Sequence, residues 1–196
     1  AAGSLSELQR QNIAMIAASS HRLTRLVNDI LDFSKLQHQQ LSLHCKPLGI
    51  FASVNVVLAL SRSLVVNKSL TLENNISPDI PFVYADVNRV QQILLNLVSN
   101  AIKFTETGTI QLAAELMTEG ERQYVAISVR DTGIGIARDR LAHIFQPFQQ
   151  VENPAQSYGG TGLGLSITQH LVSLHKGKIW IDSELGKGAT VTFTLP

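Results

Sequence analysis

The chain has 196 residues, 44% of them apolar and 16% charged, with a net charge of +1. That is length for one full domain plus an appended element, with ample material for a packed core, and it excludes the concentrated basic surface of a nucleic-acid binder. The single cysteine, Cys45, excludes an intrachain disulfide and fits a reducing, cytoplasmic setting.

No apolar run approaches the roughly 20 residues that cross a bilayer, and residues 1–7 carry no signal-peptide pattern. Leu5 to Leu36 contains neither Pro nor Gly. Ile13, Ile16, Leu23, Val27 and Ile30 recur there at three-four spacing, and Leu26, Phe33 and Leu36 widen the stripe. The pattern predicts one long helix, with Ser4 and Glu7 spaced for a capping box at its start. A stripe this wide needs a partner to bury it. Leu41, Leu43 and Cys45 alternate with polar residues, predicting a strand closed by Pro47. A helix is predicted over 50–66 and a strand over 70–76, with Pro78 and Pro81 breaking the chain beyond. Asp86 is a good N-cap for a helix running to about Ile102. Strands are predicted over 109–117 and 124–130 about a polar turn at Gly120. A helix over 162–175 precedes two last strands, 178–182 and 189–195, which flank a turn at Gly186 and Gly188. Helices and strands mix without strict alternation. That predicts an α+β fold, a two-layer α/β sandwich with helices on one face of a mixed sheet, preceded by a long helix.

The glycines cluster in three places. Asp131-Thr-Gly133-Ile-Gly135-Ile136 follows a strand, Gly159-Gly160-Thr161-Gly162-Leu163-Gly164-Leu165 opens a helix, and Gly186-Lys-Gly188-Ala-Thr190 joins two strands. A Gly-rich loop that opens a helix offers free N–H groups and the positive end of the dipole, which suits phosphate. Any one of these loops could be an ordinary turn; three in one domain argue otherwise. A dinucleotide fingerprint needs a strand before its glycines. Here the preceding stretch, Pro147 to Tyr158, is rich in Gln, Asn and Pro and reads as a mobile lid. The P-loop pattern does not occur.

The helix after Asp86 carries Asn96, Asn100 and Lys103 on one face, four and three residues apart. Two amides and an amine are costly if buried unpaired. Amide oxygens suit Mg²⁺ and an amine suits phosphate; a solvated polar stripe is the plainer alternative.

In their order, these motifs resemble the five boxes of the catalytic domain of sensor histidine kinases, in the superfamily of gyrase, MutL and the related heat-shock chaperone. Asn96 to Thr105 matches the N box, Asp131 to Ile136 the G1 box and Ile144-Phe-Gln-Pro-Phe148 the F box. Gly160 to Leu165 matches G2, and Gly186 to Thr190 matches G3. Leu23 to Leu36 resembles the second helix of the dimerisation and phosphotransfer hairpin, in the style of large, often hybrid kinases. The resemblance implies two domains: a truncated hairpin segment over 1–40 and a catalytic ATP-binding domain of the Bergerat fold over 41–196. It implies ATP and Mg²⁺ as ligands. Asp131 would accept from the adenine amino group, and Thr190 would support the same ring through water. Asn100 would hold Mg²⁺ helped by Asn96, and Lys103 would meet a phosphate, which makes Asn96 and Lys103 the catalytic pair. Gly133, Gly135 and Ile136 would line the nucleotide. Gly160, Thr161, Gly162, Leu163, Gly164 and Leu165 would wrap the phosphate chain, the last four through their N–H groups. Phe145 and Phe148 would anchor the lid. Simpler members carry an Arg just after the F box where this chain has Gln150.

The superfamily's hydrolysing members hold a Glu where this chain has Asn96, and an amide is no general base for water. The resemblance therefore implies phosphoryl transfer to a histidine rather than hydrolysis, with relay to an Asp of a response-regulator receiver domain and a homodimer built through the hairpin. Such an acceptor is followed by an acidic residue and has Pro five places on. None of His21, His38, His44, His143, His170 and His175 meets either condition, so the acceptor is expected upstream of Ala1. A degenerate, nucleotide-binding signalling module is the runner-up. Nucleic-acid binding and direct membrane contact by this stretch are not expected; anchoring of a parent in the inner membrane is a separate question.

Overall fold

The computed structural model describes residues 5–37, 41–66, 68–149 and 161–196, apart from some side chains of the first helix. They belong to two compact units, Ala1–Gln40 and Leu41–Pro196. The first is one helix, α1 (Glu7–Gln37). Ser4 lies outside the described residues, and the capping box that forms is Ser6 with Gln9. The Ser6 N–H donates to Gln9 Oε1 at 2.9 Å, and the Gln9 N–H donates to Ser6 Oγ at 3.3 Å. Ile13, Ile16, Leu23, Val27 and Ile30 are exposed along α1.

The second unit starts with residues 41–45, which alternate between half-buried and exposed but join no ladder. The paired strand is β1 (Lys46–Leu48), antiparallel to β3 (Val83–Ala85), and Pro47 lies inside it opposite Tyr84. A two-stranded sheet is nearly all edge, which is where a strand tolerates Pro. The α2 helix (Ile50–Ser61) stops short of the expected Val66 and tightens into a 3₁₀ turn at Arg62–Leu64. Ser61 Oγ donates back to the Val57 carbonyl at 2.8 Å, a bond that competes with the regular ladder at the helix end. Strand β2 (Ser69–Asn74) also ends early: Asn74 Oδ1 accepts the Ile76 N–H at 3.2 Å and turns the chain.

Asp86 caps α3 (Val87–Phe104) as expected, its Oδ1 accepting from Asn88 N at 2.9 Å and Arg89 N at 3.3 Å. At the other end, Lys68 Nζ donates to the carbonyls of Ile102 (2.7 Å) and Thr105 (3.0 Å), satisfying acceptors the helix leaves open. The hairpin of β4 (Thr107–Glu119) and β5 (Arg122–Asp131) follows, then a short helix α4 (Arg138–Leu141) absent from the sequence reading. The chain closes with α5 (Gly164–Leu174), β6 (Ile179–Glu184) and β7 (Gly188–Leu195).

The main sheet runs β2-β4-β5-β7-β6, with β2 parallel to β4 and every other pair antiparallel. The helices supply Val54, Val57, Ile93, Leu94, Val98, Leu171 and Val172 to the core. The sheet face that meets them supplies Ile110, Leu112, Ile127, Val129, Phe193 and Leu195, all 2% exposed or less. Each such side chain contributes roughly 1.5–3 kcal/mol relative to exposure. This is the mixed-sheet α+β sandwich expected from the sequence. α3 lies over β5, beside α2 and α5, so its polar face and the start of α5 come together at one end of the sheet.

Candidate functional site

Asn96, Asn100 and Lys103 are all half-buried on α3. Asn96 Nδ2 donates to Thr168 Oγ1 at 2.7 Å, and Thr168 is 1% exposed on α5. A side chain at Gly164 would bring its Cβ to 2.3 Å from Asn96 Oδ1, so the first turn of α5 approaches the Asn96 amide as only glycine permits. Burial holds the Lys103 amine below the ordinary lysine value, and its Nζ lies 4.8 Å from the centre of the Phe104 ring. Thr168 escaped the sequence reading because its partner is 72 residues away.

Asp131 ends β5, half-buried, with Oδ1 accepting from Gly133 N at 2.8 Å and Ala189 N at 3.3 Å. Burial pushes its carboxyl above the usual carboxylate value, outweighing those two N–H groups and the nearby Thr105 hydroxyl. The loop beyond is locked to its neighbours. Ile134 N donates to Phe104 O (3.2 Å), Gly186 N to Ile134 O (2.7 Å), and Ile136 N to Ser183 Oγ (2.8 Å). Gly133, Gly135 and Ile136 thus sit where the end of α3, the Asp131 loop and the β6–β7 turn meet. Gly188 has φ +89, and a Cβ there would fall 2.0 Å from Asp131 O, so no other residue fits that crossing. Ser183, which buttresses Ile136, was also missed; strand parity alone reveals it, through its register opposite Ala189.

The same parity places Thr190. Thr190 pairs with Arg130 on β5 and with Asp182 on β6, so its side chain shares their face of the sheet. Asp131 is one residue on and faces the other way, as does Ala189.

In the loop after α4, Ile144 is buried, Phe145 half-buried and Phe148 66% exposed. Phe148 adopts φ 64, unusual for a non-glycine residue, and its N–H donates to Gly162 O at 2.9 Å, so its backbone makes the tie. Gln150, Gly160 and the lid reading of Pro147 to Tyr158 beyond Gln149 lie outside the described residues. Thr161 Oγ1 accepts the Leu163 N–H at 3.1 Å, and Leu163 is buried. Gly162 precedes the N-cap Leu163, and Gly164 and Leu165 open the first turn of α5, where helix N–H groups lack internal partners.

Residues 85–196 match the histidine kinase-, DNA gyrase B- and HSP90-like ATPase family, and residues 1–39 match the His Kinase A (phospho-acceptor) domain. The autoinducer 2 sensor kinase/phosphatase LuxQ of Vibrio harveyi is 37% identical over 193 residues, 96% of this chain and 22% of that protein. The sensor histidine kinase RcsC of Escherichia coli K12 is 42% identical over 180 residues, 91% of this chain and 18% of that protein. The chain thus spans about a fifth of the length of these curated relatives. Among solved structures, full-length ShkA in complex with AMPPNP superposes with a TM-score of 0.83 at 34% identity, covering 99% of this chain and 40% of that one. The catalytic domain of histidine kinase ThkA gives 0.66 at 29% identity, over 78% of this chain and 95% of that one. Matched by that family model over more than half its length, the chain belongs to the histidine kinase-, DNA gyrase B- and HSP90-like ATPase family, on its histidine-kinase branch.

Proposed function

We propose that residues 41–196 bind Mg²⁺ and ATP and hand the γ-phosphoryl group to a histidine supplied by a separate segment. The observation that carries this is the pairing of Asp131 with the α3 face across one end of the sheet. A half-buried carboxylate presents an acceptor for an adenine amino group. Beside it, amides and an amine line α3 next to the N–H-rich start of α5. Asn100 supplies an amide oxygen to Mg²⁺, and Asn96, its Nδ2 taken by Thr168, keeps its own oxygen toward the start of α5. This donor set suits a hard, oxygen-seeking cation. Mg²⁺, when bound, screens the phosphate charge. Lys103 pairs with a phosphate oxygen, and the first-turn N–H groups of α5 receive the phosphate chain.

An amide at position 96 takes no proton from water, so the residues that would activate hydrolysis are lacking at that place. Bound ATP is held for an acceptor instead. We further propose that α1 is one helix of a dimerising hairpin, whose exposed apolar stripe fits a four-helix bundle. The phosphoryl group then passes to the receiver domain of a response regulator on the cytoplasmic side of the membrane. Among the described residues, no helix is long and apolar enough to cross a membrane.

Calorimetry with ATP and GTP tests the reading. ATP should bind more tightly, because guanine carries a carbonyl where adenine offers the amino group to Asp131, and Asn100→Ala should remove the Mg²⁺-dependent part. Equal affinity for ATP and GTP overturns it. Labelled ATP should also phosphorylate an added acceptor helix in trans, slowly, with none of the label on His21.

A further inference from the structure

Thr105 follows the last residue of α3, and its side chain is completely buried. Its hydroxyl is the one buried side-chain polar atom among the described residues without a hydrogen-bond partner. Such groups are rare and demand a reason. Valine has the same shape, would fill the same space and would bury no unpaired hydroxyl. Packing alone therefore does not account for the oxygen.

The position of that oxygen is closely determined. Lys68 Nζ holds the Thr105 carbonyl at 3.0 Å, which fixes the backbone. A Cβ on Gly133 would lie 2.7 Å from Thr105 Oγ1, so the hydroxyl presses against the turn that follows Asp131. It also lies close enough to the Asp131 carboxyl to lower its pKa as a side-chain donor, although no hydrogen bond of full geometry joins the two. Both N–H groups that reach that carboxylate, from Gly133 and Ala189, go to Oδ1. Oδ2 accepts neither.

We propose that Thr105 is a specificity-positioning residue, whose hydroxyl donates to Oδ2 of Asp131 when adenine is in place and holds the carboxylate turned toward the adenine amino group. The inference rests on Asp131 as the adenine acceptor. A carboxylate with both N–H contacts on one oxygen is free to pivot about that oxygen. A donor on the second oxygen removes that freedom, and the buried hydroxyl is placed to be that donor. The hydroxyl already acts on the carboxyl as a weak donor that lowers its pKa without full hydrogen-bond geometry, and turning Oδ2 toward it completes the bond.

The test compares ATP with purine riboside triphosphate, which has hydrogen in place of the amino group, by calorimetry on the whole chain. The wild type should prefer ATP. Thr105→Val should lower that preference by about 5-fold, the size of one modest hydrogen bond, with affinity for purine riboside triphosphate unchanged. Thr105→Ser should restore it. Should the valine variant fail to fold, Thr105→Ser against Thr105→Ala makes the same comparison. A variant that keeps the wild-type preference overturns the inference, as does one that weakens both nucleotides equally, which is a packing effect. A wild type that does not prefer ATP overturns the role of Asp131 first, and the inference with it.

Discussion

The main-chain N–H of Asp86 donates to Nε2 of His175 at 3.1 Å, joining the first residue before α3 to the residue that ends α5. His175 is buried, and its Nδ1 lies 2.8 Å from the Leu171 carbonyl, so these partners assign the proton to Nδ1 and leave Nε2 as the acceptor. Asp86 meanwhile caps α3 through Oδ1 and accepts the His44 N–H through Oδ2 at 2.9 Å. The two helices that carry the polar face and the glycine-rich turn are thus joined twice, by His175 at the start of α3 and by Asn96 with Thr168 farther along it. Replacing His175 with leucine leaves a buried N–H unpaired. The expected loss is about 1–3 kcal/mol, seen as a lower urea midpoint at unchanged slope.

Gly164→Ala reverses the usual sign. Within a helix, alanine normally stabilises relative to glycine, by roughly 0.5–1 kcal/mol at interior positions. Here its Cβ would collide with Asn96 Oδ1 and push the amide off Thr168. Affinity for Mg·ATP should fall by about 10-fold or more, and a variant that binds as tightly as the wild type would show that this contact is not needed.

Acid should separate binding from folding. Burial raises the Asp131 carboxyl above 3.8, so the folded chain protonates there before the unfolded one does, and that site loses no stability as pH falls toward 3.8. Asp86 is the opposite case. Burial alone would raise it, but the N–H groups of His44, Arg89 and Asn88 and the Arg89 charge leave it lowered. Its stability is present above 3.8 and is lost only as pH drops below that through its folded value. ATP affinity should therefore begin to decline on acidification at a pH above 3.8, while circular dichroism stays native. Asp131→Asn should abolish that decline, together with most of the preference for adenine.

Lys68 closes the C-terminal end of α3 with bonds to two carbonyls, and its side chain is only 20% exposed. Lys68→Met keeps the aliphatic stem and removes the charge. A loss of about 1.5–3 kcal/mol is expected. Hydrogen exchange should speed up first in the last turn of α3, where Lys103 and Thr105 lie.

The large elements were legible because each carries a local cause. Asp86 announces α3, the spacing of Asn96, Asn100 and Lys103 defines its polar face, and alternation marks β5 and β7. What escaped was set by distant contacts or by one-residue parity. The three-residue strands β1 and β3 exist only because they pair with each other, and Pro47 argued against one of them. Thr168 gains its meaning from a residue in another helix, and Ser183 from a loop. The face that Thr190 takes escaped as well, because a glycine-rich motif gives the position of a turn but not which face of the strand each following residue takes. Ala189 and Thr190 differ by one place, and that place is the whole thickness of the sheet.

The order of the sheet also fixes when this site can exist. β7 lies between β5 and β6, and the Ala189 N–H at its start is one of the two that hold Asp131. On a ribosome adding roughly 5–20 residues per second, Asp131 emerges several seconds before that partner. During that interval β5 offers an open edge, and the carboxylate beside it has a single N–H to orient it. Nucleotide competence therefore arrives in one step, when β7 inserts between β5 and β6. Truncations that remove β7 should yield a chain that ATP cannot rescue, whatever the integrity of α3.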